Sequence, residues 1–213
     1  MIKLIIFDYD GVIVDSFRNC HKVYQIMCKK LGKKCPTTLE GFRRIYGQRS
    51  SELYNQLSFS EEDKRKANVI YKEEIMKKES KLFEGIIRVI NVLSKKYSLA
   101  VASSSYTEEV MQKLDKFCLS KYFKYILGRQ HYISEFNKIG LIEEIIKKMG
   151  LKHDEVILIG DRNVDFVDGT KAGLKNIILV DYGWGYNLNQ IPNYKKKVTV
   201  KKPSEIIGAI EKY

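Results

Sequence analysis

The chain lacks any apolar run approaching the ~18 residues that a membrane-spanning helix needs. Its first apolar stretch, Met1 to Phe7, is too short for a secretory leader and runs straight into Asp8. A cytoplasmic protein without membrane partners is therefore expected. Proline is scarce, at three in 213 residues, and neither an internal repeat nor a low-complexity linker is present. Those absences exclude a disordered chain and a repeat array. The four cysteines (Cys20, Cys28, Cys35, Cys118) form no C-x-x-C pair, and the three histidines are widely separated. Zinc signatures are thus absent, and reduced, partly buried thiols are expected. No aromatic-and-basic RNA motif accompanies the net charge of +12. Lysine and arginine are scattered, often one helical turn from a glutamate, as in Glu73-Glu74 before Lys77-Lys78. The only dense basic run is Lys195-Lys196-Lys197, with Lys201-Lys202 beyond it. Nucleic acid is not the expected partner, although a basic surface draws in anionic substrates.

What is present is a globular pattern, with 44% hydrophobic residues. The length suits one large domain or a core carrying a smaller insert. Strand-like runs occur at Leu4–Phe7, Leu99–Ala102, Val156–Ile159 and Ile177–Val180. Between them, residues 85–96 place Ile86, Val89, Ile90 and Leu93 on one helical face, and residues 138–149 do the same with Ile139, Ile142, Ile145, Ile146 and Met149. Gly150 and Gly173 read as helix stop signals. Alternating buried strands and helices predict an α/β fold, a parallel sheet covered on both faces. Residues 16–82 break the rhythm. Helical periodicity runs from Phe17 to Leu31, Thr37-x-x-Glu40 reads as a capping box, a third helix follows Gly47, and Ser60-x-x-Asp63 opens a long helix to about Glu79. An all-helical insert at 16–82, between core segments 1–15 and 83–213, is the predicted organisation.

Asp8 and Asp10 lie at the end of the first strand and, by the two-residue period of strands, face the same way. Open parallel sheets bind ligands beyond the carboxyl ends of their strands. Two carboxylates there suit a nucleophile and a proton donor that later acts as base. A second pair, Asp161 and Asp165, follows the Val156–Ile159 strand. Asp161 is placed to reach a metal, and Asp165, one turn on, either reaches it through water or orients Asp161. Hard oxygen ligands without His or Cys nearby point to Mg²⁺. Helix capping is the simpler reading of either residue alone. Carboxylates beside a phosphate repel by ~4 kcal/mol per close pair at an effective dielectric of 20, so a fixed cation is also expected, and Lys138 is the candidate. Ser103-Ser104-Ser105 ends another strand, where a hydroxyl and free backbone N–H groups can hold phosphate oxygens. Ser105 also suits capping of the helix that follows.

These segments, Asp8-Tyr9-Asp10-Gly11-Val12, Ser103, Lys138 and Gly160-Asp161-x-x-x-Asp165, resemble the four motifs of the haloacid dehalogenase superfamily, in order along nearly the whole chain. Asp15-Ser16, Phe83-Glu84-Gly85 and Tyr182-Gly183-Trp184-Gly185 are similar to its phosphoglycolate phosphatase and β-phosphoglucomutase-like branch. The resemblance implies a Rossmann-like core with a parallel sheet and a small helical cap domain after the first motif. It implies that Asp8 attacks phosphorus to give an aspartyl-phosphate, while Asp10 protonates the leaving oxygen and then activates water. Ser103 and the N–H groups of Tyr9 and Ser104 would hold phosphoryl oxygens, with Lys138 balancing charge. Mg²⁺ would be bound by Asp8, the carbonyl of Asp10 and Asp161, with Asp165 behind them.

Arg162 stands where relatives usually carry Ser or Thr, Glu84 where they carry Pro, and Ile139 follows Lys138 where Pro is common. Gly47-Gln48-Arg49 falls at the expected specificity loop of the cap, so Arg49 is a candidate for an anionic substrate group. Asp10 separates the chain from dehalogenases, and Gly160-Asp161 with Asp165 favours hydrolysis over mutase chemistry. The expected substrate is a small phosphorylated metabolite, a phosphoglycolate- or sugar-phosphate-like monoester. A β-phosphoglucomutase-like reaction and a non-catalytic or nucleic-acid-binding use of the fold are the alternatives. A monomer or a homodimer is expected.

Overall fold

A computed structural model describes residues 1–46, 49–131, 136–183 and 198–213. Gly47-Gln48, Trp184-Gly185 and the basic run Lys195-Lys196-Lys197 lie outside the described residues. Six strands form one parallel sheet: β1 (Leu4–Phe7), β2 (Ser98–Tyr106), β3 (Phe123–Arg129), β4 (Val156–Gly160), β5 (Asn176–Val180) and β6 (Val198–Val200). Their spatial order is β3-β2-β1-β4-β5-β6. The four predicted strands are all present. β3 and β6 are additions, and β2 runs four residues beyond Ala102.

Strand alternation explains why the sheet is buried on both sides. Ile5 and Phe7 point into one apolar layer with Ile90, Leu93, Val110 and Leu114, while Leu4 and Ile6 point into the other with Ile142, Ile145 and Leu158. Both layers exclude water completely at these strand positions, and each such Leu or Ile contributes ~1.5–3 kcal/mol relative to exposure. The helices follow the predicted faces: α5 (Ile86–Leu93) and α6 (Thr107–Lys116) contribute to the first layer, and α7 (Ile139–Met149) to the second, while α8 (Asn163–Lys171) follows β4 and α9 (Glu205–Ile210) supplies Ile206, Ala209 and Ile210 to the first layer.

Between β1 and β2 the chain forms α1 (Phe17–Lys30), α2 (Leu39–Ile45), α3 (Ser50–Gln56) and α4 (Glu61–Met76). No strand interrupts these helices among the described residues. They gather around an aromatic-rich core of their own, with Tyr24, Met27, Phe42, Tyr54 and Tyr71 buried. Tyr106, at the end of β2, packs into this cluster and Phe83 touches both cores. The chain leaves and re-enters the sheet layer side by side: Asp15 N–H donates to the Lys81 carbonyl at 2.7 Å, and Phe83 N–H to the Ile13 carbonyl at 3.1 Å. The Ser60 capping box forms as predicted, with Asp63 returning the bond. The predicted box at Thr37 does not. Thr38 caps α2 instead, its Oγ1 accepting the Gly41 N–H at 3.1 Å. Among the described residues, no helix is long and apolar enough to cross a membrane.

Candidate active site

The central position of β1, between β2 and β4, brings three strand ends together. Asp8 follows β1, Ser103 lies near the end of β2, and Asp161 follows β4. One carboxylate oxygen from each of Asp8, Asp161 and Asp165 lies within 4.8 Å of the others, and all three residues are buried. Gly11 permits this approach. Its φ is +78°, and a Cβ there would stand 2.0 Å from Asp161 Oδ2. Gly160 does the same beneath Asp165, whose Cβ would be 2.3 Å from an added methyl carbon.

Each carboxylate has a definite setting. Asp8 Oδ1 accepts the Tyr9 N–H at 2.7 Å, and Oδ2 meets Lys138 Nζ at 2.6 Å. Lys138 Nζ also donates to Asp165 Oδ1 at 2.5 Å. Asp165 Oδ2 accepts the N–H groups of Asp161 at 3.2 Å and Arg162 at 2.9 Å. The helix after β4 is therefore capped from inside by Asp165, with Arg162 rather than Asp161 at the N-cap position. Asp10 sits half-buried at the entrance. Its Oδ1 accepts from Ser16 and its Oδ2 accepts from Ser105 Oγ at 2.6 Å. Ser105 thus orients Asp10 and leaves the helix cap to Tyr106, which provides no side-chain bond.

Burial dominates the electrostatics. It pushes the Asp8 carboxyl up to about 7, against the pull of Lys138, with Asp165 adding to the rise and Arg162 opposing it. For Asp165 burial acts the same way, but Lys138 and Arg162 outweigh it and hold the carboxyl below its ordinary value. Lys138 is 1% exposed; burial alone would depress its ammonium, yet Asp165 and Asp8 keep it above the usual lysine value. Arg162 adds a second buried cation, its guanidinium 3.9 Å from both Asp8 and Asp161 and 3.4 Å from Ser104 Oγ. Three buried carboxylates whose oxygens lie this close match the donor chemistry of a hard divalent cation.

The structure brings Asp8, Lys138, Asp161 and Asp165 together, with Tyr9 N–H on Asp8 and Ser104 reached by Arg162, while Asp10 follows β1 and Ser103 lies in the last part of β2. The Tyr9 N–H is directed to Asp8 itself. Ser103 Oγ accepts the Ser105 N–H at 3.0 Å, which leaves its hydroxyl proton free to donate. Arg49 lines the adjoining pocket, but its guanidinium is ion-paired with Asp168 and also donates to the Phe136 carbonyl at 3.2 Å. Asp168, Glu109 and Arg129 belong to no motif in the sequence, and Ser16 stands there only beside Asp15 in the branch resemblance. The pocket beside Asp10 is walled by Tyr24, Tyr46, Tyr54 and Tyr71 from the helical insert and by Arg129 from the sheet.

Comparisons with known proteins give the family. The family model of haloacid dehalogenase-like hydrolases matches residues 5–179. The chain is 26% identical to a phosphoglycolate phosphatase of Aquifex aeolicus over 223 residues, covering 100% of this chain and 98% of that one. It is 23% identical to the pyrophosphatase PpaX of Halalkalibacterium halodurans, covering 84% and 83%. A solved structure from Clostridium acetobutylicum, described as a predicted phosphatase, superposes with a TM-score of 0.88 at 25% identity, covering 100% of both chains. With the motif order, the sheet topology and the buried acidic cluster all in agreement, the chain belongs to the haloacid dehalogenase-like hydrolase family.

Proposed function

We propose that this haloacid dehalogenase-type phosphatase hydrolyses a small phosphorylated metabolite, a phosphoglycolate- or sugar-phosphate-like monoester, with Mg²⁺ held by Asp8, the Asp10 carbonyl and Asp161. One observation carries the reading. Asp8 is fixed between the Tyr9 N–H and Lys138, beside Asp161 and Asp165, while Asp10 is held separately by Ser16 and Ser105. The two carboxylates therefore sit in different environments, as nucleophile and acid/base groups require.

In the reading we favour, an Asp8 oxygen attacks phosphorus as the bond to the leaving oxygen breaks. Asp10 gives that oxygen its proton. Asp10 then takes a proton from water, whose oxygen attacks phosphorus and releases the Asp8 carboxylate and inorganic phosphate. Ser103 and the Ser104 N–H hold phosphoryl oxygens, and Lys138 offsets charge on the Asp8 side. When bound, Mg²⁺ supplies positive charge that draws the phosphate dianion toward carboxylates that would otherwise repel it. Asp165 positions Asp161 and Arg162 through their N–H groups. Helices α1–α4 act as a cap over residues 1–15 and 83–213, and their aromatic wall faces the leaving group. Purified protein should release phosphate from p-nitrophenyl phosphate with Mg²⁺ and stop when EDTA is added; Mg²⁺-independent turnover would overturn the metal assignment.

A further inference from the structure

Asp10 marks where the leaving oxygen must lie, so groups beyond it meet the rest of the substrate. Besides Arg162, which faces Asp8 and Asp161, one further buried cation among the described residues stands there without a part in the chemistry above. Arg129 ends β3, and its register partner on β2 is Tyr106, placing it one strand outward from Ser103–Ser105. It lines the same pocket as Asp10, Ser105 and Arg162. The side chain is 8% exposed, and its guanidinium lies over the Tyr106 ring at 4.7 Å and near Phe136 at 5.9 Å. Nη1 reaches Asn68 Oδ1 on α4 at 3.4 Å, while Nε has no hydrogen-bond partner.

No carboxylate among the described residues forms an ion pair with Arg129. The acid that feels its charge, Glu109, is held by Lys113 at 2.7 Å. Arg49, the cation first suggested for substrate recognition, is already neutralised by Asp168. Burying a guanidinium with an edge left bare is costly unless an anion completes it. Contact with two aromatic rings restricts the side chain, and the guanidinium fork suits bidentate recognition of a carboxylate or phosphoryl group.

We propose that Arg129 reads a second anionic group on the leaving part of the substrate, a carboxylate or a second phosphoryl group. Arg129 is then a specificity-determining residue, and the preferred substrates are phosphate monoesters carrying such a group. This rests on the phosphatase reading, so the test includes a measurement that needs no turnover. Two matched pairs separate the sources of the anion: phosphoglycolate against ethyl phosphate, and propane-1,3-diol bisphosphate against propyl phosphate.

The wild type should favour the charged member of one pair by about tenfold or more in kcat/KM, chiefly through KM. Arg129→Met should bring that ratio close to one, and Arg129→Lys should keep part of it. In parallel, calorimetric titration of the Asp8→Asn protein with Mg²⁺ should show the same preference in affinity, lost in the Asp8→Asn/Arg129→Met double variant. An absent preference in wild-type kinetics and in Asp8→Asn binding overturns the proposal even if Arg129→Met fails to fold. So does an Arg129→Met variant that weakens both members of a pair equally. If the binding preference is present but no phosphate is released, the phosphatase reading fails and the Arg129 assignment stands.

Discussion

Arg49, beside the first turn of α3, forms a two-pronged ion pair with Asp168 on α8, joining the helical insert to the sheet layer across 119 residues of sequence. Asp168 is nearly buried and also accepts the Lys138 N–H at 2.9 Å, so the carboxylate that holds the insert also meets the start of α7, where Lys138 stands. A double-mutant cycle of Arg49→Met and Asp168→Asn, read by urea unfolding, should give a coupling of about 1 kcal/mol, since contacting charged pairs couple by ~0.5–3 kcal/mol. Asp168→Asn alone should also lower kcat, because the amide serves the Lys138 N–H less well than a carboxylate does. Effects on stability that simply add would show that the pair is not energetically linked.

Asp8→Asn separates chemistry from folding. The amide cannot attack phosphorus, so turnover should fall by more than about 10⁴-fold, on the scale seen when a nucleophile is removed. The fold should not suffer. Burial already opposes the Asp8 charge, and Lys138 keeps Asp165 as its partner. Urea midpoints should be equal to or above the wild type. A variant that retains turnover would remove Asp8 from the nucleophile's role.

Lys138→Met has the opposite balance. It leaves Asp8 and Asp165 buried and facing each other without their common ammonium. Breaking a buried pair from one side costs about 3–5 kcal/mol. The metal-free variant should therefore unfold well below the wild-type temperature. Mg²⁺ should restore part of the loss, because a ligand at a hundred times its Kd stabilises by ~2.7 kcal/mol. Scanning calorimetry with Mg²⁺ and with EDTA measures both. Equal melting temperatures with and without Mg²⁺ would argue against a cation beside these carboxylates.

Much of this site is legible in the sequence because it lies at the ends of strands with unmistakable apolar runs. Leu4–Phe7 and Val156–Gly160 are buried at every position, so the acids that follow them are placed by counting. β3 is harder to read. Lys124 is exposed, Tyr125, Ile126 and Leu127 are half-buried, and an edge strand of this kind shows neither a continuous apolar run nor clean alternation. Missing β3 hides Arg129, which reaches the site only through the pairing of that strand with β2. Asp168 reads as one more acid on a helix, since a partner 119 residues away leaves no local trace. Ser105 shows the reverse problem. Its position before a helix suggests a cap, but the nearby Asp10 carboxylate is the acceptor its hydroxyl finds.

Glu109 offers a test away from the acidic cluster. It is 1% exposed on α6 and paired with Lys113. Burial raises its carboxyl from 4.5 to about 7; Lys113 and Arg129 pull it down but do not win, and Asp10 adds to the rise. Between these values the folded protein holds a proton that the unfolded chain has released. Since stability changes with pH as the protons bound by the unfolded state minus those bound by the folded state, this group makes stability fall as pH climbs through that window. Below about 4.5 and above about 7 it contributes no slope. Glu109→Gln removes the titration, so its stability relative to the wild type should grow with pH across the window and then level off. Urea unfolding of both proteins between about pH 4 and pH 8 measures the difference. A difference that stays constant with pH would mean that Lys113 and Arg129 balance burial, so that Glu109 titrates alike in the folded and unfolded chain.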